Sequence, residues 1–301
     1  QKGGGILNSV DKLRKLSEEE LYKRSIYRLN KAIETGTGAI EIKSGYGLDL
    51  KNELKILRVI QRLKKESAAT IKATFLAAHA IPLEYKDRKN KYLDLIINDM
   101  LPQVVDEGLA DYIDIFCEEG YFDTKDTERL LSSAEKYNIR GKTHVNQFNS
   151  IGGIKASINN NALSVDHLEV MSTEDFESLE NSDCIPTALP SCSFFLDIPY
   201  APARMIIDQG LPLALASDYN PGSSPSSNMN LVASLGCIRL KMNPEEVINA
   251  TTINSAYAMG LSKKLGSIAI GKKANFFITK AIPSYAYLPY SFGENLIKTV
   301  I

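Results

Sequence analysis

The sequence predicts an α/β protein built as a (β/α)8 barrel, in which parallel strands alternate with helices. Two observations support this. Seven short apolar or β-branched runs alternate with segments of helical period, and polar residues follow the C-terminal ends of nearly all these runs. The alternative is an open doubly wound sheet, but such a sheet concentrates its polar residues at one switch point. Their spread over many strand ends therefore favours the barrel.

Seven strands are predicted, and all of them are short. Seven strands are one fewer than a closed (β/α)8 barrel needs, and only a Gly-rich opening and a helix-like segment precede the first of them. Because the chain also starts with Gln1 rather than Met, we expect the first barrel strand to lie upstream of it. The seven runs are 38–45, 71–79, 112–119, 141–145, 162–168, 184–190 and 211–218.

Between the strands, apolar residues recur at three- and four-residue steps, which is the period of an amphipathic helix. After the last strand, Asn243 followed by Pro244 is typical of a helix start. The run LGSIAIGKKANFFITK then shows a β pattern bounded by glycines, and an aromatic, loop-like end follows. We therefore expect a barrel domain over 1–262 and a small β appendage over 263–301.

Composition narrows the class of partner. The 35 Lys and Arg residues nearly cancel the 36 Asp and Glu residues, so no net charge favours nucleic acid or an anionic membrane, and we expect a small-molecule substrate. The 4 cysteines are dispersed without a CxxC pair, which indicates reduced thiols in a cytoplasmic protein. No segment approaches about 18 apolar residues, and no leader pattern opens the chain. Exposed apolar helix faces allow a homodimer.

All three histidines stand at or near the ends of predicted strands: His79, His144 and His167. Asp218 ends the last strand. A lone strand-end histidine is more often structural, but three on one rim together with an aspartate favour a function. Imidazole and carboxylate suit one divalent zinc or iron ion with a position open to water. We expect this metal near the seam where the last strand meets the first.

Each candidate has a functional and a structural interpretation. We interpret His144 as a metal ligand, Gln147 as a substrate-facing amide and His167 as a partner of the nucleophilic water. His79 suits a hydrogen bond to a substrate carbonyl that becomes anionic, and Tyr46 stands between two glycines in a turn that lets an aromatic ring cover a pocket. The structural alternatives are strand-end caps, a core histidine and a plain turn.

Nine stretches together resemble the imidazolonepropionase family of the amidohydrolase superfamily. The match extends from the first residues to the last, and it is specific because the superfamily at large shares only strand-end His, His and Asp. The resemblance implies a (β/α)8 barrel with one zinc or iron ion and a small β-sandwich, of which 263–301 would be a remnant. The stretches are GGGI, EIKSGYGLD, TFLAAHAIP, DIFCEEGYFD, THVNQFN, SVDHLE, ASDYNPGSSP, NATTINSAYAMG and PYSFGENL.

The resemblance also implies an activity, the hydrolysis of 4-imidazolone-5-propanoate to N-formimino-L-glutamate in histidine breakdown. By motif, His144 and Asp218 correspond to metal ligands, and His167 to the histidine that assists water attack. Either Asp218 or His167 would act as the base. The residues that correspond to substrate contacts are Tyr46, His79, Gln147, Asn220, Gly222 and Ser223.

The chain departs from the family pattern at its front. The family's His-x-His, which supplies two further metal ligands, and a nearby carboxylate-binding Arg are absent, in agreement with a first strand upstream of the chain. Some relatives carry Glu where this chain has Gln147, so no proton transfer is implied there. Two alternatives remain open: another amidohydrolase such as a heterocyclic-base deaminase, and a catalytically incomplete chain that binds a metabolite.

Overall fold

The computed structural model describes residues 5–301, so the start of the GGGI stretch lies outside the described residues. All seven predicted strands are present, and the α/β class is confirmed. The seven predicted strands are β1 (Ala39–Lys43), β2 (Thr70–Ala78), β3 (Tyr112–Cys117), β4 (Arg140–Val145), β5 (Ser164–His167), β6 (Ile185–Ala188) and β7 (Ala214–Leu215). Two further strands follow them, β8 (Phe277–Thr279) and β9 (Ile297–Val300).

Helices separate the strands, as the apolar period predicts. Within residues 5–301, none of them is long and apolar enough to cross a membrane. A π-helical segment, Ile96–Met100, joins two of them without a break. The helices are α1 (Ile6–Arg14), α2 (Glu18–Glu34), α3 (Leu50–Glu66), α4 (Lys89–Leu95), α5 (Leu101–Asp106), α6 (Thr124–Glu135), α7 (Gly153–Asn159), α8 (Thr173–Glu180), α9 (Pro190–Leu196), α10 (Ala203–Asp208), α11 (Met229–Ile238), α12 (Pro244–Thr251), α13 (Ile253–Ala258) and α14 (Tyr287–Tyr290).

Local sequence explains where several helices begin. α6 starts with a reciprocal capping box, in which the Asp123 side chain accepts from the Asp126 N–H and the Asp126 side chain accepts from the Asp123 N–H, both at 3.0 Å. At the start of α12, the Glu246 carboxylate accepts from the Asn243 N–H at 2.8 Å. The Asn-Pro start expected from the sequence is therefore confirmed.

The described chain forms two compact units. The first contains 5–27 and 40–162. In it, β1 to β4 are neighbours in chain order, and β2, β3 and β4 pair in parallel. All six residues of β3 are buried, which explains why its sequence is apolar apart from Asp114. α3 contributes a buried stripe at helical spacing, which comprises Leu54, Leu57, Ile60 and Leu63.

The second unit contains 28–39 and 163–301. Its strands β5, β6 and β7 pair in parallel, and β8 pairs with β9 in antiparallel fashion. The β pattern predicted over 265–280 is realised only in β8. Gly266 and Gly271 adopt left-handed φ angles of 87° and 88°, which turn the chain and prevent a longer strand.

Candidate active site

In the first unit, His144 is held by a buried carboxylate. His144 lies on β4, is 7% exposed, and its Nδ1 is 3.0 Å from Oδ1 of Asp114 on the neighbouring strand β3. A carboxylate accepts only, so Nδ1 carries the hydrogen. The ring nitrogen that would contact an ion is therefore Nε2, as is usual when a carboxylate orients a metal-binding histidine.

Asp114 is fully buried and also accepts from Nζ of Lys43 at 2.7 Å. Burial alone would raise the pKa of the Asp114 carboxyl, but His144 and Lys43 hold that pKa well below its usual range. The ionised carboxylate therefore fixes the hydrogen position on His144. Sequence reasoning missed Asp114, although an acid within the apolar run YIDIFC is a signal that could have identified it.

His79 and Tyr46 meet just beyond the strand ends. His79 directly follows β2, and its ring lies edge-on to that of Tyr46, with centroids 5.2 Å apart at 88°, and 5.9 Å from that of His144. Nδ1 of His79 is 3.1 Å from the Gly45 carbonyl oxygen, which can only accept. Nε2 therefore donates to a substrate carbonyl only when the ring is protonated. The first unit thus brings three predicted residues together.

Gln147 lies two residues past β4 and is 8% exposed. The loop after it is fixed by Glu118, whose Oε2 accepts from the Phe148 N–H at 2.9 Å and whose Oε1 accepts from the Asn149 side-chain amide at 3.1 Å. Glu118 is 2% exposed and was also missed from sequence. Its signal was a pair of acids at the end of an apolar strand.

In the second unit, His167 ends β5 with a left-handed φ of 95°. Its Nδ1 is 3.5 Å from Oε2 of Glu169, whose other oxygen accepts from the Ser193 hydroxyl at 3.1 Å. Burial would lower the pKa of His167, but Glu169, the Cys192 thiol and Asp218 raise that pKa well above its usual value. His167 is thus placed among groups that favour its protonated form.

The predicted position of Asp218 at the end of the last strand is wrong by three residues. β7 ends at Leu215, and Asp218 follows in a half-buried turn with a left-handed φ of 49°. The strand stops early because the loop makes hydrogen bonds within itself. The hydroxyl of Ser223 donates to Asp218 Oδ2 at 2.8 Å, which orients this carboxylate.

Asn220 organises the same loop with both atoms of its amide group. Oδ1 accepts from the N–H groups of Gly222 and Ser223 at 2.8 and 2.9 Å, and Nδ2 donates to the Asp218 carbonyl oxygen at 2.7 Å. Such an Asx turn is the usual use of asparagine in a tight loop. Three predicted substrate contacts, Asn220, Gly222 and Ser223, are therefore brought together in the second unit.

The donor groups suit a divalent ion. His144 presents an imidazole whose second nitrogen is fixed by a carboxylate, and Asp218 presents a carboxylate oriented by a hydroxyl. These are the nitrogen and oxygen donors that zinc and iron accept.

The chain is similar to known proteins over most of its length. Residues 52–301 match the family model described as "Amidohydrolase family". The imidazolonepropionase of Christiangramia forsetii is 62% identical over 299 residues, covering 99% of this chain and 73% of that protein. The imidazolonepropionase of Flavobacterium johnsoniae is 57% identical over 300 residues, covering 100% and 73%. That of Alkaliphilus oremlandii is 43% identical over 302 residues, covering 100% and 71%.

Solved structures share the fold at low identity. A zinc-bound adenosine deaminase from Xanthomonas campestris superposes with a TM-score of 0.71 at 13% identity, covering 96% of this chain and 70% of that one. A guanine deaminase from C. acetobutylicum with bound guanine gives 0.75 at 12% identity, covering 97% and 76%. Together with the family match, these likenesses confirm the predicted α/β class of (β/α)8 barrel type.

Proposed function

This chain belongs to the amidohydrolase family and, within it, to the imidazolonepropionases, and from that premise we propose how its residues act on the substrate. It is a hydrolase of histidine degradation that opens the ring of 4-imidazolone-5-propanoate to give N-formimino-L-glutamate. The observation that carries this function is the 62% identity over 99% of the chain with an imidazolonepropionase, against 12 to 13% with the two deaminases.

The proposed cofactor is one divalent ion, zinc or iron, with His144 and Asp218 among its ligands. The Asp114 carboxylate on His144 Nδ1 and the zinc named for the Xanthomonas campestris structure support this assignment. The chemistry that such an ion supplies is the activation of water as a nucleophile near neutral pH. His144 would contribute its Nε2 atom, because the Asp114 carboxylate holds the ring by its Nδ1–H.

Two residues of the second unit are proposed to move the proton. The Asp218 carboxylate takes it from the attacking water, because the groups around His167 favour the protonated form of that imidazole, and one of the two residues returns it to the leaving ring nitrogen. Ser223 orients the Asp218 carboxylate through a hydrogen bond, and the Glu169 carboxylate lies 3.5 Å from His167 Nδ1 as its charged neighbour. His79, when protonated, donates from Nε2 to the oxygen on which negative charge develops.

The proposed substrate contacts fall into two groups of residues. Tyr46, His79 and Gln147 lie in the first unit, and Asn220 orders the loop that presents Gly222 and Ser223 in the second. Fixed polar groups of this kind convert binding energy into correct orientation of the reacting atoms.

Residues 263–301 are proposed as the remnant of a small β-sandwich beside a barrel domain over 1–262, because β8 and β9 pair in antiparallel fashion. A cytoplasmic homodimer is proposed, without nucleic-acid or membrane partners. Three consecutive apolar side chains support the dimer, since Phe194, Phe195 and Leu196 are 58%, 51% and 36% exposed.

Replacing Asp218 with Asn tests the site. The carboxamide is of similar size but is a weaker ligand and cannot take a proton, so we expect hydrolysis to fall by several orders of magnitude. Asp208→Asn is the control, because Asp208 is an exposed acid that pairs with Arg204. Kinetics and metal analysis are measured on both variants. Full turnover by Asp218→Asn with metal bound would exclude the assigned role.

A further inference from the structure

An entirely buried glutamate lies behind the turn that carries Tyr46. Glu53 is in the first turn of α3, where an acid usually faces solvent, yet it is 0% exposed. Its Oε1 accepts from the N–H groups of Gly47 and Leu48 at 2.7 and 2.9 Å, and its Oε2 accepts from the Gly45 N–H at 3.1 Å. One carboxylate therefore binds three donors of a single turn.

The conformation of this turn explains why it needs such an acceptor. Gly45 and Leu48 have left-handed φ angles of 99° and 53°, which point successive N–H groups to one side, as in an anion-binding nest. Buried N–H groups without an acceptor are costly. The packing is also close: a Cβ on Gly47 would lie 2.5 Å from the Glu53 nitrogen.

The same turn contacts the site through Gly45 and Tyr46. Gly45 gives its N–H to Glu53 and receives the Nδ1–H of His79 on its carbonyl oxygen, at 3.1 Å in each case. Tyr46, the next residue, packs edge-on against the His79 ring. The Glu53 carboxylate is thus connected, through the backbone of this turn, to two side chains that are proposed to contact the substrate.

We propose that Glu53 is a positioning residue for substrate binding, holding the turn 45–48 so that Tyr46 and His79 face the substrate. This inference rests on the proposed function, because it takes its meaning from the roles of those two residues. Glu53 itself does not touch the substrate. It acts only through the backbone of the turn.

Glu53→Gln is the direct test, since it keeps the size of the side chain and replaces one acceptor oxygen by an NH2 group. At least one N–H of the turn then loses its acceptor, and we expect the KM for 4-imidazolone-5-propanoate to rise about tenfold, with a smaller fall in kcat and unchanged metal content. Asp126→Asn is the control, because Asp126 is likewise a buried first-turn acid that accepts a backbone N–H, but it caps α6. Its KM should equal that of the wild type.

A double-mutant cycle separates positioning from general destabilisation. In a Tyr46→Ala background, Glu53→Gln should raise KM much less than in the wild type, because one of the side chains it positions is gone. If Glu53→Gln does not fold, Ser44→Ala replaces it, since the Ser44 hydroxyl also bonds to the Glu53 carboxyl and its loss should raise KM in the same direction by a smaller factor.

The outcomes distinguish this inference from the function it rests on. An active wild type whose KM is unchanged by Glu53→Gln, or rises by the same factor with and without Tyr46, overturns the positioning role alone. An equal rise in Asp126→Asn does the same. A wild type that does not turn over the substrate overturns the proposed function, and the positioning role with it.

Discussion

Changing Asp114 to Asn would test whether this buried acid sets up His144 for metal binding. The carboxylate accepts from two donors, His144 Nδ1 at 3.0 Å and Lys43 Nζ at 2.7 Å. Asparagine keeps one acceptor oxygen and places an NH2 group where the other was. One donor must therefore face another donor in a buried position, and the hydrogen on His144 is no longer fixed to Nδ1.

The contacts set the size of the effect. Breaking a fully buried ion pair costs roughly 3 to 5 kcal/mol of unfolding free energy. Lys43 is 22% exposed and has Glu41 within 3.7 Å, so we expect a loss of about 2 to 4 kcal/mol here. Removing a carboxylate that orients a metal-binding histidine typically lowers metal affinity about 10- to 100-fold, which is about 1.4 to 2.8 kcal/mol.

Two measurements separate these effects: urea denaturation of the metal-depleted protein, and competition of the folded protein with a chelator at neutral pH. Asp111→Asn is the matched control. Asp111 accepts from Lys72 and Lys64 at 2.8 and 2.9 Å but touches no histidine, so its loss should lower stability and leave metal affinity unchanged. Wild-type metal affinity in Asp114→Asn, or an equal loss in both variants, would refute the reasoning.

Three further predictions concern the loop, the turn and pH. Asn220→Ala removes the acceptor for two loop N–H groups, so the KM should rise about tenfold while metal content is retained. Steady-state kinetics and metal analysis of the variant check this prediction, and loss of metal would contradict it. Gly45→Ala should lower the free energy of unfolding by about 2 to 4 kcal/mol in urea denaturation, because its Cβ would lie 2.7 Å from the Leu76 carbonyl at a φ of 99°; an unchanged midpoint would argue against the strain. Burial would raise the pKa of Asp111, but Lys72, the Ala73 N–H and Lys64 lower that pKa below its value in the unfolded chain. The ionised Asp111 therefore stabilises the fold at pH values above the unfolded pKa. This contribution is lost as the pH falls through the folded pKa. The stability difference between wild type and Asp111→Asn should therefore be larger at pH 7 than below about pH 3, and a difference independent of pH would contradict the assignment.

The strands and the histidines were predictable from the sequence for physical reasons. Parallel strands buried on both faces are mostly apolar, so β2 and β3 were predictable as apolar runs, although Lys72 interrupts one and Asp114 the other. Because the ends of such strands share one edge, His79 and His144 could be assigned to a site before any geometry was known. The end of β7 was misplaced because the turn at Asp218 depends on hydrogen bonds made by Asn220 and Ser223 further along the chain.

The buried acids that support the site residues are harder to predict from the sequence. Glu53 has the sequence context of an ordinary acid at a helix start, and only the folded chain shows that it faces the turn 45–48 instead of solvent. Lys43 and Asp114 are 71 positions apart in the chain, so no local pattern joins them. Sequence patterns identify which residues end strands, whereas these buried partners depend on long-range packing.

The most direct measurement of the central claim is product identification with the purified chain. The chain is supplied with zinc or iron and with 4-imidazolone-5-propanoate, and the products are followed by NMR and mass spectrometry. We predict formation of N-formimino-L-glutamate in the wild type and its loss in Asp218→Asn. Ammonia released from a heterocyclic base without ring opening of imidazolonepropanoate, or binding of the latter with no turnover, would contradict the account.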